Sequence, residues 1–215
     1  MDFEFRTIHQ DEAEEAAVIL PKREKAIQEL SAKTSEILKE SICFPPHEAC
    51  SYEHMLPRIA AAPDLFWVAV DKGTGQIAGF INGLATNENA FRDEFFTDAG
   101  LHDPDGSTIL ILGLDVLPQY RMRGLARELV RSYAEKETGK RKRLVLTCLE
   151  NLVGMYKKFG FSDAGESASV WGGERWHEMV LLLPEQAPAG ASSDGISGCG
   201  TGVRAATAEA QSRIG

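Results

Sequence analysis

Between Leu117 and Leu129 the sequence reads LPQYRMRGLAREL, which sets Arg121, Arg123 and Arg127 around Gly124 and Ala126. Pro118 stops an apolar strand-like run, and apolar residues at helical spacing follow, so Gly124 falls where a helix starts. A helix start presents N–H groups without intrahelical acceptors at the positive end of the macrodipole. Gly124 removes the side chain where an anion would approach the backbone, and Ala126 stays small beside it. The N–H groups of Met122, Arg123, Gly124, Leu125, Ala126 and Arg127 are therefore candidates to converge on a phosphate or pyrophosphate. The turn is neither the Gly-x-Gly-x-x-Gly dinucleotide fingerprint nor a P-loop, because the Gly-Lys-Ser/Thr ending is absent. On these few residues alone, close helix packing with solvated arginines competes evenly with anion binding.

Little else carries chemistry by spacing. Cys43, Cys50, Cys148 and Cys199 form no Cys-x-x-Cys pair, and His47 and His54 lack metal-ligand spacing. Neither a disulfide framework nor a metal site is expected. Cys148 lies in the apolar run RLVLTCL and fits a small core residue. The net charge of −9 opposes nucleic-acid binding and suits a cationic partner, although solubility explains it too. No apolar run approaches the roughly 20 residues of a membrane span. The acidic start MDFEFRTIHQDEAEE lacks a signal-peptide pattern, so a reduced, cytoplasmic chain without a membrane partner is expected.

The elements that must position the turn follow from periodicity. FEFRTI alternates as a first strand, and the long stretch after Asp11 is rich in helix formers, interrupted at Pro21. SYEHMLPRIAAA predicts a short helix. LFWVAV and QIAGFINGLA flank the turn DKGTG and should pair antiparallel. The connection from Thr86 to Gly106 is long for a compact domain and suggests a binding loop. STILILGLDVL reads as a central strand, followed by a helix ending at Gly139 and the strand RLVLTCL, a β-α-β unit with a parallel pair. A helix capped by Asn151 and ending at Gly160 precedes a closing hairpin in ASVWGGERWHEMVLLL, turned at Gly172 and Gly173. Residues 1–185 form one domain, and residues 186–215, rich in Gly, Ala and Ser, read as a flexible tail.

This order of elements resembles the GNAT superfamily of acyl-CoA-dependent N-acetyltransferases, whose Arg/Gln-x-x-Gly-x-Gly/Ala signature is matched by Arg121, Gly124 and Ala126. FPPHEACSYEHM and LTCLENLVGMYKKFGF further resemble its arylalkylamine N-acetyltransferase branch. The resemblance spans roughly residues 3 to 183. It implies an α/β fold with a central mixed, mostly antiparallel sheet, a parallel β-α-β acyl-CoA-binding core and flanking helices. It also implies acetyl-CoA as cosubstrate, no metal, a small primary amine as acceptor, and a monomer or homodimer. Backbone groups of Leu114, Asp115 and Val116 match those that hold the pantetheine arm, and an N–H there would stabilise the oxyanion. Tyr156, before KKFGF, matches the tyrosine beside the CoA sulfur, a candidate general acid for the departing thiolate. Gly113 is what a bulge would need to open the strand over 109–117 away from the strand over 143–149.

The chain departs from that branch in its proton route. Where the animal arylalkylamine enzymes carry two histidines on the strand before the turn, this sequence has Leu110 and Leu112. An alkylammonium titrating near 10.4 leaves roughly one part in a few thousand neutral at pH 7, so some proton acceptor is still required. Asp115 is close, although strict alternation sets it on the face opposite Leu112 unless a bulge intervenes. Glu48, Glu53, His54, His177 and Glu178 are the remaining candidates, by proximity to the family's substrate segments. Phe91, Phe95 and Phe96 among Glu88, Asp93, Glu94, Asp98, Asp103 and Asp105, together with Trp171 and Trp176, would suit an amine cation with an apolar body. Phe91 and Phe95 are equally spaced to bury one side of a short helix. A protein amino group as acceptor and a silent acyl-CoA-binding domain are the alternatives.

Overall fold

A β-α-β crossover obliges two strands to run parallel, and everything else in the sheet arranges itself around that pair. The computed structural model describes residues 2–9, 12, 52–88 and 91–185. The strands are β1 (Phe3–Thr7), β2 (Phe66–Asp71), β3 (Ile77–Thr86), β4 (Thr108–Val116), β5 (Arg143–Leu149), β6 (Ser162–Glu166) and β7 (Trp176–Leu182). They form one sheet in the order β1-β2-β3-β4-β5-β7-β6, antiparallel throughout except for the β4–β5 pair. The helices are α1 (Tyr52–Ala61), α2 (Leu125–Glu137) and α3 (Glu150–Lys158). The expected fold class is the one observed.

Alternation along paired strands sorts the side chains onto two faces. Phe66, Val68, Val70, Ile77 and Phe80 bury against Met55 and Ile59 of α1. On the opposite face Leu125, Leu129, Val130 and Tyr133 of α2 and Val153 and Tyr156 of α3 join the larger core. Each such fully buried side chain contributes about 1.5–3 kcal/mol relative to exposure. All ten residues of β3 are buried, as a strand covered on both faces requires. The Tyr133 hydroxyl donates to the Leu65 carbonyl at 3.0 Å, so α2 is pinned to the start of β2 by a satisfied buried group.

Three local expectations are corrected. Helix α3 starts at Glu150 with Leu149 as its N-cap and no side-chain cap, so Asn151 lies inside the first turn. The closing hairpin takes Ser162–Glu166 as its first strand, and the stretch containing Gly172 and Gly173 is the loop that joins it to β7. Helical spacing extended back from Leu125 would put Met122 on the apolar stripe of α2, yet it precedes the helix, fully exposed, at φ 58°. The tail, the long helical stretch after Asp11 and Pro21, and Glu48 lie outside the described residues. No helix among the described residues is long and apolar enough to cross a membrane.

Candidate active site

Strand β4 pairs with β3 along its whole length but meets β5 only through Thr108, Ile109 and Leu110. Strand β5 continues to Leu149, paired over its full length with β7. The parallel strands therefore part after Leu110, and the facing backbone edges of Ile111–Val116 and Leu146–Leu149 have no ladder partner in each other. The cause is a bulge. Asn82 pairs with Gly113 and Gly83 with Ile111, which leaves Leu112 as an extra residue in β4. The bulge thus falls one residue before the expected Gly113.

The open strand edge leads straight into the arginine turn. After Val116 a 3-10 turn over Pro118–Tyr120 redirects the chain, Met122 takes φ 58°, and Gly124 sits at φ 81°, ψ 1° as the N-cap of α2. Such a left-handed cap suits glycine, and a Cβ built there meets no atom within 4 Å. The first helical bond runs from the Glu128 N–H to the Gly124 carbonyl, and no side chain caps the helix start. The first turn of α2 accordingly presents N–H groups that no side chain caps. Arg121 does not extend outward. Its Nε donates to the Val116 carbonyl at 2.8 Å and its Nη2 lies 3.6 Å from Asp115 Oδ1, so it ties the turn to the end of β4. Arg123 and Arg127 are exposed. Tyr120 anchors the other side, its hydroxyl donating to Asp71 Oδ2 at 2.9 Å.

Tyr156 lies on α3, on the β5 side of the opening, buried at 6% exposure and edge-on to Phe159 and Phe161 with centroids 5.8 Å away.

Residues 30–161, more than half of the chain, match the acetyltransferase (GNAT) family. The chain belongs to that family. Its fold is shared by the GNAT-like decarboxylase GphF in complex with isobutyryl-CoA, at 16% identity and TM-score 0.63, covering 84% of this chain and 100% of that one. The loading GNATL domain of CurA from Lyngbya majuscula aligns at 10% identity and TM-score 0.64, covering 85% of this chain and 98% of that chain. An acetyltransferase of the GNAT family from Streptococcus pneumoniae aligns at 19% identity and TM-score 0.52, covering 85% of this chain and 100% of its own. Acyl-CoA binding is typical of the GNAT family.

Register separates the candidate proton acceptors. Leu110 pairs with Leu84 and Asp115 with Phe80, so both face the α1 side of the sheet. Asp115 is 8% exposed, and its Oδ1 accepts the Val116 N–H at 2.9 Å besides its pairing with Arg121. Glu178 pairs with Thr147, on the same face of β7 as Trp176 and Val180, and is half-buried. His177 pairs with Cys148 on the α3 side, and its Nδ1 lies 3.2 Å from Asp163 Oδ1. The Gly165 N–H, His177 and Lys157 hold the Asp163 carboxyl below its ordinary range. His177 is thus brought to the face opposite Leu110 and Asp115. The side chains of Glu53 and His54 lie outside the described residues. Burial pushes the Cys148 thiol up to about 11, which keeps it an un-ionised core residue.

The connection between β3 and β4 folds over the α1 side of the sheet. A 3-10 turn at Asp93–Phe96 buries Phe95, and Phe91 is buried beside it. Phe96 packs on Trp171 with ring centroids 4.9 Å apart, so this connection meets the loop between β6 and β7. Asp93 clips the two together, accepting from the Ser169 hydroxyl and from the Val170 N–H at 3.1 Å. The carboxylates expected to attract an amine are largely committed within the loop. Glu88 pairs with Arg92, Asp98 accepts the Gly100 N–H, and Asp103 accepts from Asn87 and the Asp105 N–H. The two loops meet in an aromatic wall of Phe96 and Trp171. Trp176 supports it by donating from Nε1 to the Trp171 carbonyl at 2.8 Å.

Among the described residues no group of three or more His, Cys, Asp or Glu side chains could hold a metal ion. A cavity of about 460 Å³ lined by Leu65, His102, Pro104, Lys136, Glu137 and Arg141 lies at the far end of α2 from the turn. His102 there is held below its ordinary range by burial and by Arg141, and its Nδ1 accepts the Ala85 N–H at 3.1 Å. Sequence reasoning also passed over Asn82, a polar residue at 2% exposure in the apolar run of β3, directly opposite Gly113.

Proposed function

We propose that the chain transfers an acetyl group from acetyl-CoA to a small primary amine by direct attack in a ternary complex. The observation that carries this reading is the parting of β4 from β5 after Leu110, immediately before an uncapped helix start. On the parted edge of β4, Leu114 is the residue whose N–H and C=O can meet an amide-bearing pantetheine arm, with Asp115 and Val116, tied to each other and to Arg121, framing it. The first turn of α2, Met122 to Arg127, supplies N–H groups and the positive dipole end for a pyrophosphate, with Gly124 leaving room for its approach. Acetyl-CoA contributes an activated thioester when bound. Tyr156, beside the same opening, is the proton donor to the departing thiolate in this reading.

The acceptor approaches from the α1 side, between the bulge of β4 and the aromatic wall of Phe96 and Trp171. That wall suits an amine with an apolar body. The segments FPPHEACSYEHM and LTCLENLVGMYKKFGF support the arylalkylamine-like branch, whereas Leu110 and Leu112 set this chain apart from its histidine-bearing members. Free-thiol release from acetyl-CoA with a panel of amines tests the proposal. Release with 2-phenylethylamine or 1,4-diaminobutane supports it, release only with peptides favours a protein acetyltransferase, and binding without release favours a silent acyl-CoA-binding domain.

A further inference from the structure

Asn82 occupies the middle of β3 at 2% exposure with half of its carboxamide unsatisfied. Its Nδ2 donates to the Met55 thioether at 3.7 Å, while its Oδ1 has no hydrogen-bond partner. A buried carbonyl oxygen without a donor is uncommon, and a leucine of similar shape would carry no such penalty. A donor arriving from outside the chain accounts for it.

The position says which donor. Asn82 pairs with Gly113 beside the extra residue Leu112, and it shares the α1-side face with Phe80, Leu110 and Asp115. A Cβ on Gly113 would stand 3.1 Å from Asn82 Nδ2 and 3.5 Å from Phe80 Cε2. Glycine at 113 therefore leaves the Asn82 carboxamide uncrowded on the face beside the bulge. The other edge of Gly113 is the open edge of β4. Asp115, on the same face, is already engaged by Arg121 and the Val116 N–H.

We propose that Asn82 Oδ1 accepts a hydrogen bond from the nitrogen of the acceptor amine and holds that nitrogen on the α1-side face of the sheet, beside the bulge of β4. This rests on the acetyltransferase reading above and adds a residue that binds its acceptor. A neutral carbonyl suits the task. It receives N–H from either protonation state of the amine and does not fix the ammonium as firmly as a carboxylate would. A primary amine retains a donor for this contact in its neutral, nucleophilic form, whereas a tertiary amine has none.

Two variants test the proposal, with thiol release measured at saturating acetyl-CoA and 2-phenylethylamine and 1,4-diaminobutane as probes. Asn82→Leu should raise the amine KM about tenfold or more. The acetyl-CoA KM should stay within about twofold and the melting temperature should not fall, because an unsatisfied buried oxygen is removed. Asn82→Asp restores an oxygen acceptor and should recover most of the amine affinity. It should also bring into the pH profile of the amine KM a carboxylate step that the wild type lacks. An unchanged amine KM in Asn82→Leu overturns the assignment, as does a parallel rise of both KM values with a lower melting temperature. If the leucine variant does not fold, the aspartate variant decides alone: the new step supports the contact, and its absence overturns it. Failure of the wild type to release thiol with any amine overturns the acetyltransferase reading and this proposal together.

Discussion

Leu110 and Asp115 lie on the same face of β4, opposite Leu84 and Phe80, although five positions separate them. In a regular strand an odd separation puts two residues on opposite faces, and the extra residue at Leu112 reverses the phase. The bulge therefore brings a carboxylate, already ion-paired with Arg121, to the face that Leu110 occupies. No group titrating near 6.5 stands on that stretch of β4. The expected outcome is that kcat/KM for the amine climbs with pH toward the amine's own pKa, with no step at about pH 6 to 7.5. A pH–rate profile checks it, and a clear titration near 6.5 contradicts it.

The same ion pair has a stability consequence. Asp115→Asn keeps an acceptor for the Val116 N–H but removes the counter-charge from Arg121 Nη2. It should destabilise the fold by about 1–3 kcal/mol, read by urea unfolding at neutral pH. An unchanged midpoint would mean that the pair does not hold the turn.

Gly124→Val sets a branched side chain at φ 81°, in open space directly above the helix start. The strain of a β-branched residue in the left-handed region costs about 1–2 kcal/mol. The side chain would also stand where the pyrophosphate approaches. Calorimetry on the folded variant should show acetyl-CoA affinity lower by about tenfold or more. Unchanged affinity removes the anion site from this turn.

Tyr156→Phe keeps the ring that packs between Phe159 and Phe161 and deletes only the hydroxyl. Turnover should fall by about a hundredfold, with acetyl-CoA binding within about twofold of the wild type. Full turnover across the pH range would leave Tyr156 a packing residue.

Tyr120→Phe removes the donor to Asp71, whose carboxyl is held below its ordinary range by the Gly73 N–H and the Tyr120 hydroxyl. A depressed carboxylate stabilises the fold above its unfolded value of about 3.9, and that contribution is lost as pH falls through its lower folded value. The variant should therefore melt below the wild type at pH 7, and the gap should narrow as the solution is acidified below that range. Because the ring that packs edge-on to Phe3, 5.8 Å away, is retained, a gap independent of pH would mean that the hydroxyl does not act through the Asp71 charge.

What the sequence disclosed and what it withheld divide along sequence separation. Pro118, Gly124 and the helical spacing after them are local signals, and they placed the turn and the parallel β4–β5 pair correctly. Gly113 marked the bulge to within one residue, because only the partner strand fixes which residue is extra. The anchoring of Arg121 to Val116 and Asp115 was not legible, because it depends on a 3-10 turn that spacing does not reveal. The Asp93 clip joins residues 76 positions apart in Ser169, and no local pattern announces it. Asn82 was hidden for a related reason: a strand buried on both faces has no alternation against which a polar residue stands out. The cap of α3 shifted by a residue or two, where a good capping residue yielded to the way the strand end feeds the helix.

Amine-dependent release of free thiol from acetyl-CoA, with the product weighed by mass spectrometry, tests the central claim most directly. The parted strands, the open helix start and Tyr156 predict one thiol released per N-acetylated 2-phenylethylamine or 1,4-diaminobutane formed. That release should be lost in Gly124→Val and strongly slowed in Tyr156→Phe. Tight acetyl-CoA binding with no amine-dependent thiol release and no acetylated product would contradict it.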